Sequence, residues 1–365
     1  MDSAVTTGPF GMAGSINDSP TPAAAAKDSG VMTGFPLYAI LFSMCVGSFL
    51  MSTDVFIIST AIPSITIEFR DTTQLAWYPA AYSLTTCAII PLAGKISSVF
   101  SLRWIYQGLF FIFLLGSVVC GAATSSNMFI VGRALAGMGA SGVASGGLTI
   151  ILTVSSPAKR PLFMSMGSNM FALDIILVPI IGGAFAEKVT WRWCFWINLP
   201  AGAVTLASMF FFFHPPPVRT DKAVLERVRD LDLVGCVIFI PAIFILLKAM
   251  KWGGTKYLWN SPTIIGLFVG GGVLMLVFVS WEWRVGDAAL IPGVVLTRRA
   301  VVLACVFAFC QLGSMAVMSY YLPEYFPVVQ GVSPLESGVR VLPSIISQLG
   351  GIVVVGVFGK WYSAP

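Results

Sequence analysis

Charge is scarce in this sequence. Asp, Glu, Lys and Arg make up 10% of its 365 residues and hydrophobic side chains 57%, with a mean hydropathy of +0.88, whereas about a quarter of an ordinary soluble domain is charged. Lipid is the solvent this composition fits. Histidine is nearly missing: the single one, His214, stands beside Pro215, Pro216 and Pro217. Neither a His-based metal centre nor a Ser/His/Asp triad can be assembled, so no enzyme activity, metal or cofactor is expected. No Gly-x-x-x-x-Gly-Lys-Ser/Thr loop occurs, which excludes an ATPase of the chain's own. Cysteine is present, but Cys45, Cys87, Cys120, Cys194, Cys236, Cys305 and Cys310 all lie in apolar runs, as small hydrophobes do, which argues against disulfides. Residues 1–34, rich in Ser, Thr, Ala, Gly and Pro, lack an apolar run and read as a disordered cytoplasmic tail, not as a signal peptide.

Long apolar runs are what the sequence does have. A bilayer core about 30 Å thick takes about 20 mainly apolar residues per helical span, and ten such stretches occur: 37–61, 75–93, 104–122, 128–152, 162–185, 193–213, 233–250, 262–281, 300–322 and 341–358. They are apolar all round and do not alternate polar with apolar, so helices are expected and a transmembrane β-barrel is not. The fold class is an all-α polytopic membrane protein of about ten transmembrane helices. Most of the 21 Lys and Arg fall between spans on the side of the N-terminus, which places that side in the cytoplasm. Lys248, Lys251 and Lys256 run against the bias. The net charge of +5 is thereby explained by topology, and no nucleic-acid partner is called for.

Six spans within 35–214 are followed by a polar segment, 215–232, that reads as a cytoplasmic linker. There Val224, Leu225, Val228 and Leu231 recur at helical spacing, which suits a short helix on the membrane face as well as it suits a solvated connection. A two-helix pair occupies 233–282, and two further spans lie in 283–365.

A charge at the bilayer centre costs about 2.5–3.5 kcal/mol on insertion scales, so each one is a functional candidate. Asp54 lies in the outer half of the first span, Arg133 in the fourth and Asp174 near the middle of the fifth. Asp54 and Arg133 read either as an ion pair tethering two helices or as a proton-exchanging carboxylate with its cationic modulator, function being favoured for Asp54 because proton exchange requires a carboxylate that can lose and regain its water. Asp174, alone among apolar neighbours, is a candidate for substrate binding or for protons, and an unfavourable substitution is the third reading. Glycines cluster on the fourth span, where small residues let helix backbones approach. Pro179 shortly before Gly182 and Gly183 is a combination that bends a helix. Trp104, Trp191, Trp193 and Trp196 at span ends read as interfacial anchors.

At these residues the sequence resembles the major facilitator superfamily, in particular its fungal fourteen-span drug:proton antiporters, the toxin and multidrug efflux pumps. STDVFIISTAIPSI at 52–65 is similar to the first-span signature, with Asp54 at its acidic position. GKISSVFSLR at 94–103 occupies the place of the loop between spans two and three. GRALAGMGA at 132–140 resembles the fourth-span signature, with Arg133 at its arginine, and PIIGG at 179–183 followed by WRWCFWINLP at 191–200 resembles the antiporter signature. The sequence departs from the pattern at Ser98, where an Asp is usual, at Ser101 and Val178, where Gly is usual, and at Ala172. The resemblance covers nearly everything after the tail.

It implies a major facilitator fold with inverted three-helix repeats, a cavity between two six-helix bundles and alternating access. It also implies that 233–282 is an inserted pair and that the C-terminal bundle is incomplete, a C-terminal truncation of four spans. Asp54 and Arg133 would couple protons, and Gly94, Arg103, Pro179, Gly182 and Gly183 would gate. The function implied is secondary active efflux of amphipathic small molecules across the plasma membrane, with protons, a small-molecule substrate and the lipid bilayer as partners. The alternatives are an importer of siderophores or other solutes with similar build, or a membrane protein that does not itself transport. For the topology, Asn17 in its Asn-Asp-Ser sequon is expected to stay unglycosylated, while an engineered sequon in a lengthened loop at 124–127 is modified. Modification in the Lys159-Arg160 loop instead would reverse the assignment.

Overall fold

The computed structural model describes residues 34–71, 74–215, 231–286, 289–291, 293, 297–331 and single positions from 340 to 354. The tail before residue 34, the linker at 216–230 and most of the tenth expected span, 341–358, lie outside the described residues. Within them the chain forms α1 (Phe35–Phe69), α2 (Trp77–Val99), α3 (Leu102–Gly121), α4 (Ser126–Val154), a short turn of 3-10 helix (Pro157–Lys159) and α5 (Arg160–Lys188). After these come α6 (Trp193–Phe212), α7 (Leu233–Trp252), α8 (Pro262–Val285) and α9 (Arg299–Gln330). No strand occurs among the described residues, apart from an isolated bridge between Gly253 and Tyr257. Among the described residues six helices, α1, α3, α4, α6, α7 and α8, are both long and apolar enough to cross a membrane. Helix α2, 23 residues long, has the length with a more polar sequence, and α5 is 29 residues long.

The helices begin where local chemistry favours it. The Ser125 hydroxyl accepts from the Met128 amide at the start of α4, Ser261 accepts from Ile264 at the start of α8, and Asp232 from Gly235 at the start of α7, each satisfying an N–H that has no partner within its helix. The first span is longer than expected. The first apolar run ends at residue 61, but α1 runs through Pro63 to Phe69, because a proline in a packed membrane helix removes one ladder bond without stopping the helix. This extension carries Glu68 to Arg192 (2.8 Å) and to the Trp191 indole (2.6 Å).

Trp191 departs from its expected role as an interfacial anchor. It is buried, with its ring edge-on to Phe69, Phe129 and Phe195, so this aromatic closes one end of the core. Trp104 and Trp193 are exposed. The core of α1–α6 is layered. Leu37, Ile40, Tyr106, Ile150, Phe163 and Met209 fill one end, Leu50, Tyr82, Phe110, Phe113 and Val143 the middle, and Ile57, Tyr78, Phe129, Cys194 and Phe195 the other end.

Close backbone approach holds α4 between its neighbours. A Cβ at Gly139 would lie 2.2 Å from the Phe113 amide of α3, and one at Gly137 would lie 2.3 Å from the Tyr82 carbonyl of α2. Helices without a hydrophobic force between them in lipid associate through such contacts. The pair α7–α8 leans on α2. Trp77 stacks on Phe244, Leu92 packs on the cluster of Cys236, Phe278 and Leu290, and Lys95 Nζ donates to the Ala289 carbonyl at 2.8 Å. At that end burial raises the Asp232 carboxyl, but hydrogen bonds from the Trp281 indole, the Gly235 amide, Glu282 and the Leu290 amide together outweigh it and hold the group below its usual range. Gly139→Leu is expected to destabilise the protein by about 1–3 kcal/mol, the usual cost of overpacking. Gly183→Ala, at a position with no atom within 4 Å of the added Cβ, is expected to lower stability not at all. Chemical denaturation in mixed micelles measures both.

Candidate functional site

The middle of the bundle holds an ion pair with no access to solvent. Arg133 Nη1 of α4 lies 2.5 Å from Asp54 Oδ2 of α1, and the two side chains are each 1% exposed. The same nitrogen donates to the Asp54 carbonyl at 3.1 Å, Nε donates to the Tyr78 carbonyl at 3.1 Å, and the guanidinium sits 4.6 Å from the centre of the Tyr82 ring. Arginine's rigid fork can serve a carboxylate, carbonyls and a ring face at once, as the compact lysine ammonium cannot. The ring is delivered by local sequence. Gly137, one turn after Arg133, admits the Tyr82 backbone, and the Tyr82 hydroxyl donates to the Met51 carbonyl at 3.2 Å.

Four further polar side chains complete the cluster. Asn198, at the start of the long part of α6, donates from Nδ2 to Ser117 Oγ of α3 at 3.1 Å and to Asp54 Oδ1 at 3.5 Å, while its own Oδ1 is buried without a partner. Tyr78 and Ser126 share a hydrogen bond of 2.8 Å. Five helices thus meet at Asp54 directly or through one intermediary, a density of polar contacts that a membrane interior tolerates only when the groups satisfy one another.

Asp174 is not isolated among apolar neighbours, as its sequence context suggested. It is fully buried, Thr53 Oγ1 donates to its Oδ1 at 2.6 Å, and Ser52 Oγ bonds its Oδ2. Residues 52–54 therefore serve two carboxyl sites from one turn of α1: Ser52 and Thr53 face α5, and Asp54 faces α4. A groove of about 370 Å³ runs between the first half of α1 and the first half of α5, with Leu41, Phe42, Cys45, Phe49, Met166 and Met170 in its walls.

The remaining candidates are spread out. A Cβ at Gly182 would meet Thr60 Oγ1 at 2.3 Å, so this residue marks a close passage of α5 past α1, whereas Gly183 faces open space and so does Gly94 near the end of α2. Pro179 falls within α5, and its side chain lies outside the described residues. Arg103 at the start of α3 donates to the Phe210 carbonyl and lies over the Trp104 and Phe210 rings, which ties α3 to α6. Among the described residues no three His, Cys, Asp or Glu side chains come together as a metal ion would need.

The sequence profile of the Major Facilitator Superfamily matches residues 44–364. The chain belongs to that superfamily. A curated relative, the MFS-type transporter poxA of Penicillium oxalicum, is 42% identical over 342 residues, covering 92% of this chain and 60% of its own. The efflux pump mlcE of Penicillium citrinum is 44% identical over 91% of this chain and 62% of its own. The efflux pump aflT of Aspergillus parasiticus is 40% identical over 91% of this chain and 65% of its own. The chain therefore spans about three fifths of the length of the curated relatives it matches. Among solved structures, a double-tryptophan mutant of XylE superposes with a TM-score of 0.52 at 15% identity, over 89% of this chain and 67% of that one, which agrees with a major facilitator fold.

Asn198, Ser117, Tyr82, Ser52 and Thr53 are the residues of this site that sequence reasoning passed over. A polar amide at 198 inside an apolar span carried a signal of the same kind as the three charges, and weighing uncharged polar residues would have found it. Arg133→Met leaves the Asp54 carboxylate buried without its partner and is expected to cost about 3–5 kcal/mol. Adding Asp54→Asn removes the stranded charge and is expected to recover part of the loss. Chemical denaturation of both variants in mixed micelles measures the coupling, and equal stability of the two would show that there is none.

Proposed function

We propose that the protein is a proton-coupled exporter of amphipathic small molecules, a multi-pass protein of the plasma membrane with its N-terminus in the cytoplasm. The observation that carries this reading is the buried Asp54–Arg133 pair held between α1 and α4. A carboxylate sealed from water beside a cation is poised for exchange: when the helices part, water reaches it, a proton binds, and the attraction that closed the helices is released. Two relatives are named efflux pumps, and the apolar groove between α1 and α5 suits a lipophilic cargo held mainly by apolar and aromatic surface.

In this reading α1–α6 form one bundle, 215–232 is the cytoplasmic linker, 233–282 an inserted pair and 283–365 the opening of a second bundle. Arg133 sets the strength with which Asp54 holds its proton. Gly94, Arg103, Pro179, Gly182 and Gly183 belong to the moving parts, Gly182 because α1 and α5 pass there with no room for a side chain.

The test is efflux of a fluorescent amphipathic dye from vesicles under an imposed pH gradient. Asp54→Asn keeps the shape and removes the titratable group, so gradient-driven efflux is expected to fall to the rate seen without a gradient while equilibrium dye binding is retained. Undiminished efflux would remove Asp54 from the mechanism.

A further inference from the structure

The hydrogen bonds around Asp174 can be counted. Ser52 Oγ has one proton and three acceptors in reach: Asp174 Oδ2, the Ser48 carbonyl at 3.0 Å and the Phe49 carbonyl at 3.1 Å. Thr53 Oγ1 donates to Asp174 Oδ1. If the carboxyl is ionised, the Ser52 proton must serve it and leave the carbonyls, and two hydroxyls alone stand against a full negative charge. If Oδ2 carries a proton, Asp174 donates to Ser52, Ser52 donates to a carbonyl of its own helix and Thr53 donates to Oδ1. Each hydroxyl proton and both carboxyl oxygens then have a place in the cluster.

Among the described residues no cation competes for the site. The charged groups on α1, α4 and the residues entering α6 that pack against α5 are Asp54, Glu68, Arg133 and Arg192, and they are consumed in two pairs, Asp54 with Arg133 and Glu68 with Arg192. The thiols on those elements are Cys45 in the groove wall and Cys194, whose sulfur lies 4.0 Å from the Gly182 carbonyl. Lys159 sits in the turn preceding α5, at the other end of the helix from Lys188. The groove between α1 and α5 ends near the cluster: of its wall residues, Phe49 precedes Ser52 by three positions and Met170 precedes Asp174 by four, about one helical turn each.

We propose that Asp174 is a second proton-carrying carboxyl, separate from the Asp54–Arg133 pair, neutral while α1 and α5 are packed together and ionised when they part. The proton leaves Oδ2 for water entering along the groove and returns from water when the helices close. This rests on the transporter reading above and deepens it, since one turn of α1 would then report two protonation events to two different partner helices, α4 and α5.

Infrared difference spectra between acid and alkaline pH, taken on the protein in lipid vesicles, read the carboxylic acid directly and do not depend on transport. A C=O band of a protonated carboxyl is expected to titrate in the parent, to vanish in Asp174→Asn and to persist in Asp54→Asn. Should Asp174→Asn fail to fold, Thr53→Val serves instead: it keeps the side-chain volume and removes the donor to the C=O oxygen, so the band is expected to move to higher frequency. Absence of a titrating band, or a band unmoved by Asp174→Asn or by Thr53→Val, overturns the proposal. Loss of gradient-driven efflux on Asp54→Asn together with either of those results would leave the transporter reading standing and remove only the second carboxyl.

Discussion

An aspartate and an arginine with 1% of their side chains exposed, 2.5 Å apart, set the terms for the rest of the bundle. Neither charge is tolerable alone in a water-free interior, so α1 and α4 must meet at this height and in this rotation. The surrounding sequence is fitted to that requirement. Gly137 lets α2 approach closely enough for Tyr82 to cover the guanidinium, and Gly139 lets α3 press against the opposite side of α4. Asn198 and Ser117 complete the polar cluster from α6 and α3. A charged pair of this kind is weak as a source of stability and strong as a constraint on register, which suits a protein whose helices have to find one arrangement in a solvent that offers no hydrophobic preference among them.

The same turn of α1 is asymmetric. Asp54 points to a cation on α4, whereas Ser52 and Thr53 supply only hydroxyls to the carboxyl of α5. An ion pair resists separation in a dry interior. A hydroxyl-bonded acid holds two helices with far less force, since neutral hydrogen bonds contribute on the order of 1 kcal/mol net. The α1–α5 contact is thus the softer of the two, and it is also the one flanked by an apolar groove. In this geometry the helix that carries Gly182 and Gly183 is the easier to move, and the helix that carries Arg133 is the anchor.

The pair α7–α8 contributes in a different way. Its contacts run along α2, from the Trp77–Phe244 stack to Lys95 at the Ala289 carbonyl. Lys95 lies near the end of α2, and a backbone carbonyl from beyond α8 supplies an acceptor there. The ends of α7 and α8 are joined by Asp232 and Glu282, which accept from the Trp281 indole and from the Leu290 and Ile291 amides, making the pair a braced unit against α2.

Much of this was open to reading in the sequence, for a physical reason. A span must be apolar for about 20 residues, so the helices α1 to α9 announce themselves by composition, and a charge inside such a span is conspicuous because it is expensive. Asp54, Arg133 and Asp174 stood out on that ground alone, and their order with the glycine-rich fourth span pointed to the superfamily. What they touch did not stand out. Thr53 and Asp174 are separated by 121 positions, and a serine or threonine in a membrane helix ordinarily bonds the carbonyl a turn back, as Ser43 and Thr66 do here, so nothing marks Ser52 and Thr53 as reaching another helix. Trp191 at a span end looked like an anchor until α1 was seen to run past Pro63 and bring Glu68 over it. Composition determined which residues cross the membrane and which charges had to be accommodated there. The rotation of each helix about its axis, which apolar-all-round sequences leave undetermined, was decided only by tertiary packing, and with it which carboxyl received a cation and which received two hydroxyls.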